Sequence, residues 1–133
     1  MAARVRYLSP EWVAEAESNI RARITPDQMK NLTVSMSNIY RKCPDGQERY
    51  LFFGFTEGAL TELTVGTGEA PSAEFVITGD YEVFARISRA ELGSQKALMT
   101  GKLKLKGNMV KALKLASIAD RINKVLSEIE TEY

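Results

Sequence analysis

From Pro10 onward apolar residues recur at every third or fourth position, at Val13, Ala16, Ile20 and Ile24, the spacing of a helix with one buried face. Ser9 supplies its start, because a serine hydroxyl caps free amides and Pro10 in the first helical position forfeits no hydrogen bond. The helix ends near Pro26. From Leu32 the period drops to two: Val34, Met36 and Asn38 alternate with Thr33, Ser35, Ser37 and Ile39, which predicts a half-exposed strand. Cys43-Pro44-Asp45-Gly46 has the residues of a tight turn, and Arg49 to Thr56 returns as the second arm of a hairpin. After a break at Glu57-Gly58-Ala59, Leu60 to Val65 forms a third strand with Leu63 and Val65 on one side. The loose segment Gly66 to Ser72 leads to a fourth strand, Ala73 to Thr78, in which Phe75 and Ile77 share a face.

The second half returns to helical spacing. Asp80 caps a helix carrying Tyr81, Phe84 and Ile87 or Ser88 along one side, with Glu82 at the positive end of its dipole. A short turn from Ser94 holds Leu98 and Met99 and closes at Gly101. Lys102-Leu103-Lys104-Leu105-Lys106 alternates without a break and reads as a strand, wet on its lysine face and dry on its leucine face. Asn108 restarts helix, with Met109, Ala112, Leu113 and Ala116 leading into Leu115, Ile118, Ile122, Val125 and Ile129. The order of elements predicts an α+β fold: a five-stranded, mainly antiparallel sheet covered on one face by helices. No repeat or linker divides it, so residues 1–133 read as one domain.

Composition narrows the function. Eighteen basic against seventeen acidic residues leave a net charge of +1, too little for a global field that steers the chain to nucleic acid. The absence of histidine removes the commonest metal ligand and general base, and one cysteine permits no internal disulfide. The longest apolar run, Tyr50 to Phe55, is far short of the roughly 20 residues of a spanning helix. Ser9-Pro10-Glu11 interrupts the N-terminal stretch before any signal sequence develops. A cytoplasmic setting is therefore expected, in which the sequon Asn31-Leu32-Thr33 has no use. Gly66-x-Gly68 lacks its third glycine, with Pro71 in its place, and precedes a strand rather than a helix, so it is not read as a phosphate loop.

No constellation suggests catalysis. Asp45, Asp80 and Asp120 fall at a turn, a cap and a helix surface. Cys43 follows Arg41 and Lys42 but has no histidine partner. Lys102, Lys104 and Lys106, with Lys111 and Lys114 nearby, are read as a solvated face that also discourages edge pairing. Weak contact with an anionic membrane surface is the other use open to them. No aromatic residues are interleaved for stacking on bases, so nucleic acid is not expected. Leu51, Phe53 and Phe55 alternate with Tyr50 and Phe52, one set for the core and the other for a second packing layer or a partner.

Residues 73 onward carry a more specific text. The strand Ala73 to Thr78, the helix from Asp80, the run Ser94-Gln95-Lys96-Ala97-Leu98-Met99-Thr100-Gly101-Lys102-Leu103-Lys104-Leu105-Lys106-Gly107-Asn108-Met109, and Ala112 to Leu115 resemble the sterol carrier protein family, also called nonspecific lipid-transfer proteins. The resemblance is strong over residues 73–115 and colinear over residues 10–72. It implies an apolar tunnel between sheet and helices, no catalytic residues, no cofactor and no metal. Gly101 then ends the short helix, Gly107 leaves the strand in a glycine conformation, Asn108 caps the next helix, and Met109 adds a flexible thioether. The chain departs from the family in lacking a tryptophan on a central strand, Trp12 being its only one, and its tail Glu130-Thr131-Glu132-Tyr133 is not the peroxisomal tripeptide.

The expected activity is binding, with or without transfer, of a fatty acyl, acyl-CoA, isoprenoid or sterol-like molecule. Its expected lining is Phe53, Phe55, Leu63, Val65, Phe75, Ile77, Phe84, Met99, Leu103, Leu105, Met109, Leu113, Ile118 and Ile122. The helix from Leu115 to Ile129 is expected to be a movable cover, since a terminal element detaches without breaking the sheet. The alternative is an accessory subunit with a filled interior that contacts a lipid-modifying enzyme or forms a homodimer.

Overall fold

The computed structural model describes residues 4–133. In chain order the elements are β1 (Val5–Arg6), α1 (Pro10–Arg23), β2 (Val34–Arg41), β3 (Arg49–Thr56), β4 (Ala59–Thr67), β5 (Phe75–Asp80), α2 (Tyr81–Ser88), α3 (Ser94–Met99), β6 (Leu103–Lys106), α4 (Met109–Leu126) and β7 (Thr131–Glu132). Strands β2 to β6 form a five-stranded sheet of order β4-β3-β2-β5-β6, and β1 pairs with β7 in a separate two-stranded ribbon. Every pair in the large sheet is antiparallel except β2 with β5. The fold is α+β, as the residue pattern predicts.

Local chemistry sets the ends of the elements. Ser9 Oγ accepts the Trp12 amide at 3.2 Å and Pro10 opens α1. The buried stripe of α1 is Trp12, Ala16 and Ile20, with Val13 only half-buried. In the Cys43–Gly46 turn, Asp45 accepts the Gln47 amide at 3.1 Å and Arg49 Nη1 at 2.9 Å. The Arg49 hydrogen bond holds the Asp45 carboxyl down to about 2. Asn108 Oδ1 accepts the Lys111 amide at 3.0 Å and caps α4. Gly107, at φ +140°, holds a backbone conformation that L side chains rarely adopt, and a Cβ there would press at 3.0 Å on both Glu74 O and the Phe75 ring. Asp80 occupies the cap position of α2 without making a capping hydrogen bond. Its carboxylate instead faces Arg41 and Lys42, each at 3.7 Å, because Arg41 and Asp80 are register partners at the ends of β2 and β5.

The fourth strand departs from a run of hairpins. It leaves β4, passes two strands and inserts beside β2 in parallel, and it begins at Phe75 because residues 73 and 74 belong to the connection. Seven residues, 68–74, reach about 25 Å when extended, enough for that diagonal. Ser37 Oγ donates to Pro71 O at 2.7 Å, and the Glu74 amide donates to Ser35 Oγ at 2.9 Å. The connection thus crosses the sheet face that carries Ser35 and Ser37, and Ser37 is fully buried beneath it. The helices occupy the opposite face. Among the described residues no helix is long and apolar enough to cross a membrane.

Past α4, Ile129 is buried, the Val5 amide donates to Glu130 O at 3.0 Å, and the Tyr7 amide donates to Glu132 O at 2.9 Å. Tyr7 lies edge-on to Trp12 with ring centroids 4.9 Å apart, and its ring is 4.8 Å from Tyr133 and 5.6 Å from Tyr81. Tyr133 donates its hydroxyl proton to Ser88 Oγ at 3.1 Å and lies under the Arg89 guanidinium at 4.8 Å. The helix expected to be a movable cover is thus fastened beyond its last turn, by strands too short to leave a period in the sequence. We predict that Tyr133→Ala removes about 1 kcal/mol of aromatic and cation–π contact and lowers the thermal midpoint by roughly 4 °C. Calorimetry showing no change would mean that this clasp contributes nothing.

Candidate functional site

Between the helices and the inner face of the sheet lies a cavity of about 120 Å³. Along β2 the inward positions Val34, Met36, Asn38 and Tyr40 all line it, so it follows that strand for about 20 Å at the usual rise per residue. Leu51, Phe53 and Phe55 of β3 form one flank, with Phe75 and Ile77 of β5 and Leu103 of β6 forming the other. Phe84 and Ile87 of α2, Ser94 and Leu98 of α3, and Tyr7, Met29 and Leu32 contribute from outside the sheet. The roof is α4, through Ala112, Leu115, Ala116, Ile118, Ala119, Ile122, Asn123 and Leu126. Three alanines at spacings of four and three lie over large sheet residues, which leaves the space.

Of the fourteen candidates, Phe53, Phe55, Phe75, Ile77, Phe84, Leu103, Ile118 and Ile122 meet at the cavity, and the other six do not. Leu63 and Val65 belong to β4, the edge strand on which α1 packs. Leu105 is half-buried on β6, the opposite edge strand. Leu113 is half-buried beside the inward-facing Ala112. Met99 ends α3 at 69% exposure, and Met109 begins α4 at 44%. Among the wall residues that the sequence reading missed, the β2 set was visible as an alternation. What the sequence withheld is that β2 is the middle strand, paired on both sides, so that its inner face is central to the chamber.

The two ends differ. At Tyr40 the wall is sealed, with Tyr40 only 1% exposed and its ring 4.2 Å from Phe84 and 6.0 Å from Tyr7. Toward the start of β2, Met36, Val34 and the preceding Leu32 remain partly exposed although they point inward. The first turn of α4 lies at this looser end, since Lys111 forms an ion pair with Glu74 and stands 6.0 Å from the Phe75 ring.

The wall is apolar but not wholly so, and no lysine, arginine, aspartate or glutamate lines it among the described residues. The Tyr7 and Tyr40 hydroxyls share a hydrogen bond of 3.1 Å, and Asn123 Nδ2 donates to Ser94 Oγ at 3.3 Å. Burial pushes both tyrosines above their ordinary value, and for Tyr40 hydrogen bonds with Tyr7 and Asn38 offset part of the rise. Asn38 Oδ1 is buried with no hydrogen-bond partner. Cys43 is also buried, and desolvation raises its thiol, the wrong direction for a nucleophile. Among the described residues no three metal-ligating side chains cluster. Lys102, Lys104 and Lys106 are exposed along the edge strand β6, as expected of a solvated face.

The model of the SCP-2 sterol transfer family matches residues 18–120. A crystal structure of sterol carrier protein 2 superposes with a TM-score of 0.80 at 21% identity, covering 93% of this chain and 99% of the other. A solution structure from Thermus thermophilus, of a conserved hypothetical protein described as possibly a sterol carrier protein, gives 0.81 at 20% identity over 98% and 94% of the two chains. A solution structure of palmitated SCP2L2 from Aedes aegypti gives 0.58 at 23% identity over 83% and 93%. No curated protein matches by sequence.

The buried tyrosine pair has a pH signature. Because folding raises both hydroxyl pKa values, the folded state holds protons that the unfolded chain releases above about pH 10. The stabilisation is complete below that pH and is lost as pH rises through the folded values. We predict cooperative alkaline unfolding in which tyrosinate absorbance and loss of ellipticity coincide. Titration of all five tyrosines near pH 10 with the fold intact would contradict the buried pair.

Proposed function

The chain belongs to the SCP-2 sterol transfer family, and from that membership together with the uncharged cavity we propose that it is a non-catalytic carrier holding one apolar lipid in a tunnel between sheet and helices. The observation that carries this reading is the chamber along β2, walled by neutral, mostly apolar side chains. Its driving force is desolvation. Each methylene moved out of water contributes about 0.8 kcal/mol, so ten methylenes approach the roughly 8 kcal/mol of micromolar binding before ordering costs. A cavity of about 120 Å³ lies below the roughly 300–1,000 Å³ typical of ligand pockets, so the walls part as a lipid enters.

The clasp at Tyr7 and Tyr133 fixes the far end of α4, which leaves its first turns to give way. There Met109 and Val110 are exposed, at 44% and 64%, and the Lys111–Glu74 ion pair is the tether. Of the expected lining, the eight residues that meet at the cavity are the ones this reading places against the lipid.

Two outcomes test it. Native mass spectrometry of protein incubated with a fatty acyl or isoprenoid mixture should show one added lipid per chain, and the loaded form should melt higher by mass action. Ala119→Phe should fill the chamber, leaving the melting temperature of unloaded protein unchanged or raised while abolishing uptake. Undiminished uptake by this variant would remove the cavity from the binding site.

A further inference from the structure

We propose that the protein docks on anionic lipid bilayers through the edge formed by β6, α3 and the first turns of α4, with Met109 and Val110 entering the headgroup layer. Between Glu91 and Asp120 the chain carries six lysines, Lys96, Lys102, Lys104, Lys106, Lys111 and Lys114, and no acidic residue. The rest of the chain holds twelve basic against seventeen acidic residues, a net charge of −5. A nearly neutral molecule is thus sharply divided. The fold keeps the division, because α3 packs on β6 and α4 at one edge of the sheet, whereas α1, with Glu11, Glu15 and Glu17, packs on β4 at the other. This separation turns the β6 edge toward a negative surface.

Apolar exposure follows the same division. Among the described residues the large apolar side chains that stand exposed are Met99, Met109 and Val110, and all three lie in the stretch without acids. Residues 106–111 are exposed without interruption. Met109 and Val110 therefore form a tip with Lys106 and Lys111 to either side, and Lys114 stands one turn behind Val110. Lys111 is the one lysine of the six with an acidic partner among the described residues, Glu74. Lysines alone would suit any polyanion; two apolar side chains standing among them specify one with an oily interior, a bilayer. Residues 92–119 hold no aromatic side chain to stack on bases. The same turn of α4 borders the looser end of the cavity, so docking brings that end against a source of lipid. That consequence rests on the carrier reading, whereas docking itself does not.

Co-sedimentation with vesicles of phosphatidylcholine containing about 30% phosphatidylserine, against phosphatidylcholine alone, tests the proposal in about 0.1 M salt. Each lysine close to such a surface adds about fivefold in affinity, so binding should be at least about twentyfold tighter to the mixed vesicles and should weaken as salt is raised. Lys104→Glu with Lys106→Glu should abolish this preference. Arg121→Glu with Lys124→Glu, the same change in net charge on the far half of α4, should leave it intact. Met109→Ser with Val110→Ser should weaken binding about tenfold at an unchanged melting temperature. Equal binding to the two vesicle types, or none to either, overturns the proposal. So does full binding by the double serine variant, or a loss in the Arg121–Lys124 pair as large as in the Lys104–Lys106 pair. If a charge-reversed variant does not fold, the two vesicle types and the serine variant decide. Lipid uptake is measured separately, so these failures leave the carrier reading standing.

Discussion

The sealed end of the chamber depends on one side chain that arrives from outside the sheet. Tyr7 contacts the rings of Trp12, Tyr40, Tyr81 and Tyr133, residues of α1, β2, α2 and the segment after β7. Its backbone amide holds Glu132, and its hydroxyl meets Tyr40. An aromatic ring suits this position because it covers much apolar area while its polar tip takes a hydrogen bond in a place where an unpaired hydroxyl would be costly. Sheet and helix layer are joined there by packing and by polar pairing at once. Removing either kind of contact would open the cavity from the end that is now closed.

With one end sealed, the space inside follows from a mismatch in side-chain size. The sheet presents Phe53, Phe55, Phe75 and Tyr40, whereas α4 answers with Ala112, Ala116 and Ala119. Those alanines span about 10 Å of helix. A core that fills itself would carry leucine or isoleucine at such positions, since voids forfeit dispersion contacts on every lining atom. Further along the same helix Ile122, Val125 and Leu126 are buried, so two of the three alanines, Ala112 and Ala116, fall on the half of α4 nearest the looser end.

The helices, the strand alternation and the α+β layering are written in short-range periodicity and were legible for that reason. So were the caps at Ser9 and Asn108, which rest on chemistry within a few residues. Asp80 shows where local reasoning stops: an aspartate at a cap position was instead drawn to Arg41 and Lys42 from a neighbouring strand. The crossover of residues 68–74 and the β1–β7 ribbon depend on partners more than 30 residues away, and nothing local encodes them. For the site, bulky apolar residues of strands and helices were found by their period. The alanines and Asn38 were passed over because reading for hydrophobicity looks for what fills a core, whereas a cavity is marked by what fails to fill one.

That difference bears on how such a chamber discriminates. Desolvation scales with buried area and is nearly blind to shape, so an all-hydrocarbon wall would rank guests mainly by length. A single polar group in the wall changes the ranking, because specificity is a difference of affinities and a guest that leaves a buried acceptor unpaired is penalised relative to one that satisfies it. Uncharged groups make this discrimination workable. An arginine in the wall would cost several kcal/mol in desolvation whenever the chamber held a neutral guest, whereas the Tyr7 and Tyr40 phenols, bonded to one another, tolerate an oily neighbour. Tyr40 and Tyr7 therefore place polar groups in the wall without making the interior hostile to hydrocarbon.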